Sequence, residues 1–175
     1  MGDSVSQEIP AKLVGGERYA MRLFRQLGFA ALVVLPFACN SKPYEGKSVS
    51  ELEQMLRNPD PAVQAQGAFG LSQMGPAARE AVPALVECLK KESIVRQKAA
   101  LALGAIGEDA SESVPALAEL LRDPEWTVRR QAAMALGRIG PAAGKALPEL
   151  ERLKLDPDTL VRKAAAEALR RVRAK

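Results

Sequence analysis

The sequence of 175 residues has no histidine, few aromatic residues (4%) and only two cysteines. Without histidine the chain lacks the commonest group that exchanges protons near neutral pH, and it lacks the imidazole ligand of most zinc sites. Cys39 and Cys88 stand 49 positions apart, which provides neither a paired-cysteine metal site nor a disulfide framework. The apolar fraction of 47% rests on Ala, Leu and Val, and that profile suits close-packed helices better than a β-sandwich. Charge of one sign is also scarce: 25 Lys and Arg face 21 Asp and Glu over the whole chain, and 20 face 18 from Tyr44 to Lys175. A nucleic-acid groove calls for a concentrated basic surface with stacking aromatics, so no DNA or RNA partner is expected.

Leu27 to Cys39, LGFAALVVLPFAC, form an uncharged run of 13 residues, whereas a helix that crosses a bilayer takes about 20. Arg22 and Arg25 precede it, no acid lies between Met21 and Asn40, and the chain turns polar at Asn40, Ser41 and Lys42. Met1 to Ala20 mixes Asp3, Glu8 and Glu17 with Lys12 and Arg18, so Met21 offers an alternative start. A basic lead, an apolar core and a small residue before a cysteine resemble a bacterial lipoprotein signal. That resemblance implies cleavage before Cys39, acylation of Cys39 and attachment to the cell envelope. Asn40, in place of an aspartate, points to the outer membrane where there are two. Pro36 departs from the leucine that the family prefers three places before the cysteine. The other readings are an ordinary signal or an uncleaved anchor with an incidental cysteine; without any signal the chain would be cytoplasmic.

From Val49 onward the chain repeats itself. Segments that start at Val63, Val95, Val128 and Val161 read VQAQGAFGLSQMG, VRQKAALALGAIG, VRRQAAMALGRIG and VRKAAAEALRRVR, with starts 32, 33 and 33 residues apart. Val49, Val82, Val114 and Leu147 open a second, interleaved series, VSELEQML, VPALVECL, VPALAELL and LPELERLK. A period of this length marks stacked supersecondary units. In the first series the shared apolar or small positions fall on one helical face, as in Val95, Ala99, Ala100, Leu103 and Ile106; in the second, Val114, Leu117, Leu120 and Leu121 do the same. Eight helices are predicted, a B helix of the second series preceding each A helix of the first. Asp123-Pro124-Glu125, Asp156-Pro157-Asp158 and Asn58-Pro59-Asp60 read as N-cap, first-turn proline and acid at the start of A helices. Gly75, Gly107 and Gly140 close the A helices, and Pro83, Pro115 and Pro148 lie in the first turn of the B helices.

The pattern D-P-x-x-x-V-R-x-x-A-A-x-A-L-G-x-I-G followed by V-P-x-L-x-x-L resembles the short HEAT-like repeats of phycobilin lyase subunits, from Val49 to Val172. The resemblance implies an all-α superhelix of about four helix pairs, with A helices on the convex side and B helices lining the concave one. The domain division expected is a signal segment at 1–38, the lipidated cysteine and a linker at 39–48, and the repeat domain at 49–175. Phe69, Leu101 and Met134 share a column that becomes Glu167, and Gly104 and Gly137 become Arg170, so the last helix reads as a polar cap. Little structure is then expected beyond Lys175. At the other end the segment from Ser41 to Lys47 is one candidate to cover the first B helix.

No catalytic residue and no metal or cofactor site is expected. Cys88 aligns with Met55, Leu120 and Leu153 and reads as a buried structural thiol. Gly140 to Lys145 is one residue short of a phosphate-binding loop and lacks its hydroxyl. Arg96, Arg129 and Arg162 share one position, with Gln64 in the first unit; in the family they resemble a structural ladder to acids such as Asp123 and Asp156. Glu87, Lys90, Glu119 and Arg122 on the B helices, with acid and base three apart, form a wall of mixed sign. Trp126 breaks a column otherwise filled by Pro61, Ser93 and Thr159. These five are the candidate partner-binding residues. The expectation is a non-catalytic adaptor, tethered by lipid, that binds a protein on its concave helical surface and neither nucleic acid nor a small substrate. Its alternatives are an accessory subunit for bilin attachment and a HEAT-like nucleic-acid-binding protein. Metabolic labelling with a fatty acid should tag the wild-type chain and leave Cys39→Ala untagged; equal labelling of both would refute the lipoprotein reading.

Overall fold

The computed structural model describes residues 42–174, and Cys39, the signal segment and the two candidate start residues lie outside them. The described residues form eight α-helices: α1 (Val49–Leu56), α2 (Pro61–Met74), α3 (Val82–Cys88), α4 (Ser93–Ile106), α5 (Val114–Glu119), α6 (Trp126–Ile139), α7 (Leu147–Arg152) and α8 (Thr159–Val172). The even-numbered helices are the A elements, each 14 residues long; the odd-numbered ones are the short B elements. They stack in chain order as an all-α solenoid of helix pairs, and the described residues form one compact unit.

The first three A helices stop at the glycine expected, and the last ends at Arg173 in an ordinary helical conformation. Gly75, Gly107 and Gly140 take φ of +57°, +80° and +76°, a region that a side chain disfavours. Each glycine opens a seven-residue 3-10 segment that leads directly into the next B helix. Pro83, Pro115 and Pro148 lie in the first turns of α3, α5 and α7, where no intrahelical partner awaits the missing N–H.

The starts of α6 and α8 differ from expectation. Their cap positions are Glu125 and Asp158, two residues after Asp123 and Asp156. A residue before proline is driven out of the helical region, and Asp123 and Asp156 accordingly have ψ of 142° and 140°. Each accepts the backbone N–H two residues on, Glu125 N to Asp123 Oδ1 and Asp158 N to Asp156 Oδ1, both at 2.9 Å. This turn carries the chain from B to A, after which Asp158 accepts the N–H groups of Leu160 and Val161 as the true cap. In the first unit it is Asp60 that caps, by accepting from Ala62 N at 2.8 Å.

The core is a continuous band of small and branched aliphatic residues. Leu52, Leu85, Leu117 and Leu150, equivalent in the four B helices, are all at most 1% exposed, and burying each contributes about 2 kcal/mol. Consecutive A helices meet through even smaller groups. A Cβ added to Gly104 would lie 2.8 Å from Ala135 Cα, and one added to Gly137 would lie 2.9 Å from Ala168 Cα. The two ends are closed differently. At the first, Tyr44 packs edge-on to Phe69 at 5.1 Å between ring centroids and fills the space above Gly70, so the segment before α1 covers it. At the last, Ala166 is exposed where its counterparts Ala68, Ala100 and Ala133 are buried. Glu167 there is held by Arg170 and Arg171 of the same helix.

Gly104→Val should lower stability by roughly 2 kcal/mol or more, because the neighbouring backbone cannot retreat without separating two repeats. Gly144→Ala, where a new Cβ meets nothing within 4 Å, should change it by less than about 0.5 kcal/mol. Thermal denaturation followed by far-UV circular dichroism compares the two.

Candidate interaction edge

The turns that lead from each B helix into the next A helix lie along one edge of the stack, and the arginine column runs through them. Arg129 donates from Nε to Asp156 Oδ2 at 2.8 Å and from Nη2 to Asp156 Oδ1 at 3.0 Å, a bidentate pair that joins two repeats. Its remaining Nη1 donates to the carbonyls of Asp123 and Pro124, at 2.8 and 3.0 Å, and pins its own turn. Arg96 repeats the arrangement one unit earlier. Its Nη2 donates to Asp123 Oδ1 at 3.1 Å and its Nη1 to the Lys91 carbonyl at 2.6 Å. Arg96 Nε lies 2.7 Å from Asp123 Oδ2 with its N–H directed aside, so that contact is an ion pair. Arg162, in the last repeat, keeps only the local half: Nη1 to the carbonyls of Asp156 and Pro157 and Nη2 to Thr159 Oγ1. Gln64 donates to the Asn58 carbonyl in the first.

These side chains are largely withdrawn from water, 13% exposed for Arg129 and 7% for Asp156. The pairing therefore shifts both groups. The hydrogen bonds from Arg129 hold the Asp156 carboxyl below the ordinary carboxylate range against the opposing effect of burial, and those same bonds raise Arg129. Asp123 and Asp156 each serve twice, as turn acceptor and as ion-pair partner.

The other candidate residues occupy exposed ground. Glu87, near the end of α3, pairs with Lys90 in the turn just after it at 3.8 Å. Arg122 lies 3.4 Å from Glu149 of the following repeat, and no ion pair joins it to Glu119 among the described residues. The mixed-sign wall is thus formed partly within and partly between repeats. Trp126, the first residue of α6, is 39% exposed. Cys88 is buried, and burial pushes its thiol up, away from the reactive thiolate.

Three apolar residues join Trp126 at this edge and were not singled out from the sequence. The exposed large hydrophobic residues among those described are Ile94, Trp126, Leu155 and Leu160, and all four lie at a B-to-A turn or in the first turn of the A helix after it. Leu155 is 88% exposed. Its column carried a signal, because Arg57, Lys90 and Arg122 occupy the equivalent positions and a leucine there interrupts a basic series.

The family model for HEAT repeats matches residues 49–124 and 92–170. Among solved structures, two engineered proteins are similar. One shares 29% identity with a TM-score of 0.59 over 71% of this chain and 62% of its own. The other shares 28% with a TM-score of 0.64 over 73% and 64%. The chain therefore spans somewhat under two thirds of their length. The complex of CpcE and CpcF of phycocyanin lyase from Nostoc sp. PCC7120 matches with a TM-score of 0.52 and 20% identity, over 79% of this chain and 71% of its own, which is a likeness of fold alone. None of the curated proteins matches.

The depressed Asp156 pKa gives stability a pH dependence of definite sign. Its contribution is present above the unfolded-state value of about 4 and is lost as pH falls through the lower folded value. Asp156→Asn should therefore reduce stability at neutral pH by about 1–3 kcal/mol, since Arg129 stays buried without its counter-charge. The difference from wild type should narrow on acidification, as urea denaturation at a series of pH values would measure.

Proposed function

The chain belongs to the HEAT-repeat family, and from that premise we propose that it is a non-catalytic scaffold, tethered to the bacterial envelope through acylated Cys39, that binds a protein partner. A repeat stack presents an extended surface whose geometry is set by its core, and partner residues are added on top of that core. The observation that carries the reading is the gathering of Ile94, Trp126, Leu155 and Leu160 on the edge that the Arg–Asp ladder holds rigid. Exposed apolar side chains on a prepared framework lose little conformational freedom on binding, and tryptophan is enriched among residues that dominate binding energies. The exposed charges at the ends of the B helices and just beyond them, Glu87, Lys90, Glu119 and Arg122, flank this edge as a polar rim that discriminates among partners more than it adds affinity.

The membrane tether rests on the sequence layout before Cys39, and the partner surface on the repeat unit. The two parts of the proposal therefore stand separately. The likeness to CpcE and CpcF transfers no activity at 20% identity, and a cofactor-attachment role finds no further support in the described residues.

Capture of envelope proteins on the immobilised full-length chain tests the proposal, with each captured partner then titrated against variants. Trp126→Ala and Leu155→Ser should each weaken a true partner about tenfold or more while leaving the melting temperature within a few degrees. A partner whose affinity is indifferent to both substitutions would remove this edge as the binding surface.

A further inference from the structure

A second surface lies away from the B helices, between the A helices of the last two repeats. The outward sides of α6 and α8 enclose an open hollow of about 400 Å³. Its lining includes the apolar surfaces of Met134, Leu160 and Ala168. Four cations border it: Arg130 and Arg138 from α6, Lys163 and Arg171 from α8. One carboxylate, Glu167, is also present, and it is already engaged by Arg170 and Arg171 of its own helix. Among the described residues Arg130, Arg138 and Lys163 have no carboxylate within ion-pair distance.

The repeat alignment separates this charge from the needs of the fold. Arg130 and Lys163 occupy a column that holds Ala65 and Gln97 in the earlier repeats; Arg138 and Arg171 occupy one that holds Gln73 and Ala105. Neutral residues serve the same helical positions in the two earlier repeats, so stacking does not require cations there. In these two columns the A helices change from neutral to basic along the solenoid, and the change coincides with the hollow.

We propose that the α6/α8 hollow is a docking site for an acidic segment of a protein partner that bears at least one large apolar side chain. Arg130, Arg138 and Lys163 supply the charge complement of clustered Asp or Glu, and guanidinium groups pair with carboxylates in bidentate fashion. The apolar lining takes the side chain that anchors the segment. Concavity separates this ligand from an anionic bilayer, which meets projecting apolar groups and cannot enter a recess. This surface shares Leu160 with the edge described above but none of Ile94, Trp126 or Leu155, so substitutions at Arg130 and Lys163 test it separately from those at Trp126 and Leu155.

Fluorescence anisotropy of the full-length chain with a labelled synthetic peptide rich in Asp and Glu and carrying Leu and Phe provides the test. A peptide with Lys in place of each acid serves as its counterpart. The acidic peptide should bind, weaken as salt is raised, and lose about tenfold or more in affinity with Arg130→Glu/Lys163→Glu, while the basic counterpart gains. Should that variant melt early, Arg130→Gln/Lys163→Gln, which installs the residue already present at Gln97, should still lower affinity by about threefold or more. Equal binding of acidic and basic peptides, or acidic binding indifferent to both variants, would overturn the proposal. So would failure of the acidic peptide to bind while phosphatidylglycerol vesicles bind the wild-type chain and not the variant.

Discussion

The close approach of consecutive A helices is the constraint on which the rest of the molecule depends. At Gly104 and Gly137 the next helix arrives so near that a single methyl group would collide with the backbone of Ala135 or Ala168. At these two junctions that distance is available only to a glycine facing an alanine, whereas Ser72 holds the equivalent position in the first A helix. A helix pair on its own leaves apolar faces in water, so each unit gains stability when the next one covers it. The columns of Ala and Leu are what this spacing admits: Ala99, Ala132 and Ala165 are fully buried, as are Leu103 and Leu136, with little volume available for anything larger.

The polar ladder follows from the same spacing. Arg96 reaches Asp123 and Arg129 reaches Asp156 across 27 residues of sequence only because consecutive repeats lie at a constant separation. The ladder in turn solves a local difficulty at the B-to-A turns, where proline removes a donor and the chain reverses with several carbonyls unpaired. The arginine fills those acceptors with one nitrogen and bonds the acid of the next repeat with the others. One residue type thereby satisfies the turn and fastens its neighbour, and the turns become a firm edge on which exposed apolar side chains can stand.

Most of the architecture was legible in the sequence, because the features that set it are local and repeated. A glycine at the end of the first three A helices, proline at the start of the last three B helices and a leucine buried in each B helix can all be read by laying the repeats over one another. The start of the A helices was read two residues too early. Asp-Pro can cap a helix or precede one, and the choice rests on whether the carboxylate turns toward its own chain alone or also toward an arginine from the neighbouring repeat. The candidate edge was half legible. Trp126 broke its column visibly, whereas Leu155 looked like one aliphatic residue among many until its 88% exposure was seen. The cations of α8 read as part of a solvated polar cap and those of α6 stood out in no way, since their joint meaning depends on a hollow between two helices.

By itself the sequence determined the helices, their order, their pairing into repeats and the residue type required at each interior column. These follow from periodicity, backbone preferences and side-chain size, all properties of a residue and its near neighbours. Tertiary structure alone decided which acid each arginine meets, which apolar residues remain in water and where separated charges converge. Those outcomes depend on the separation and relative rotation of consecutive repeats, which arise only when the faces of one pair pack against the next.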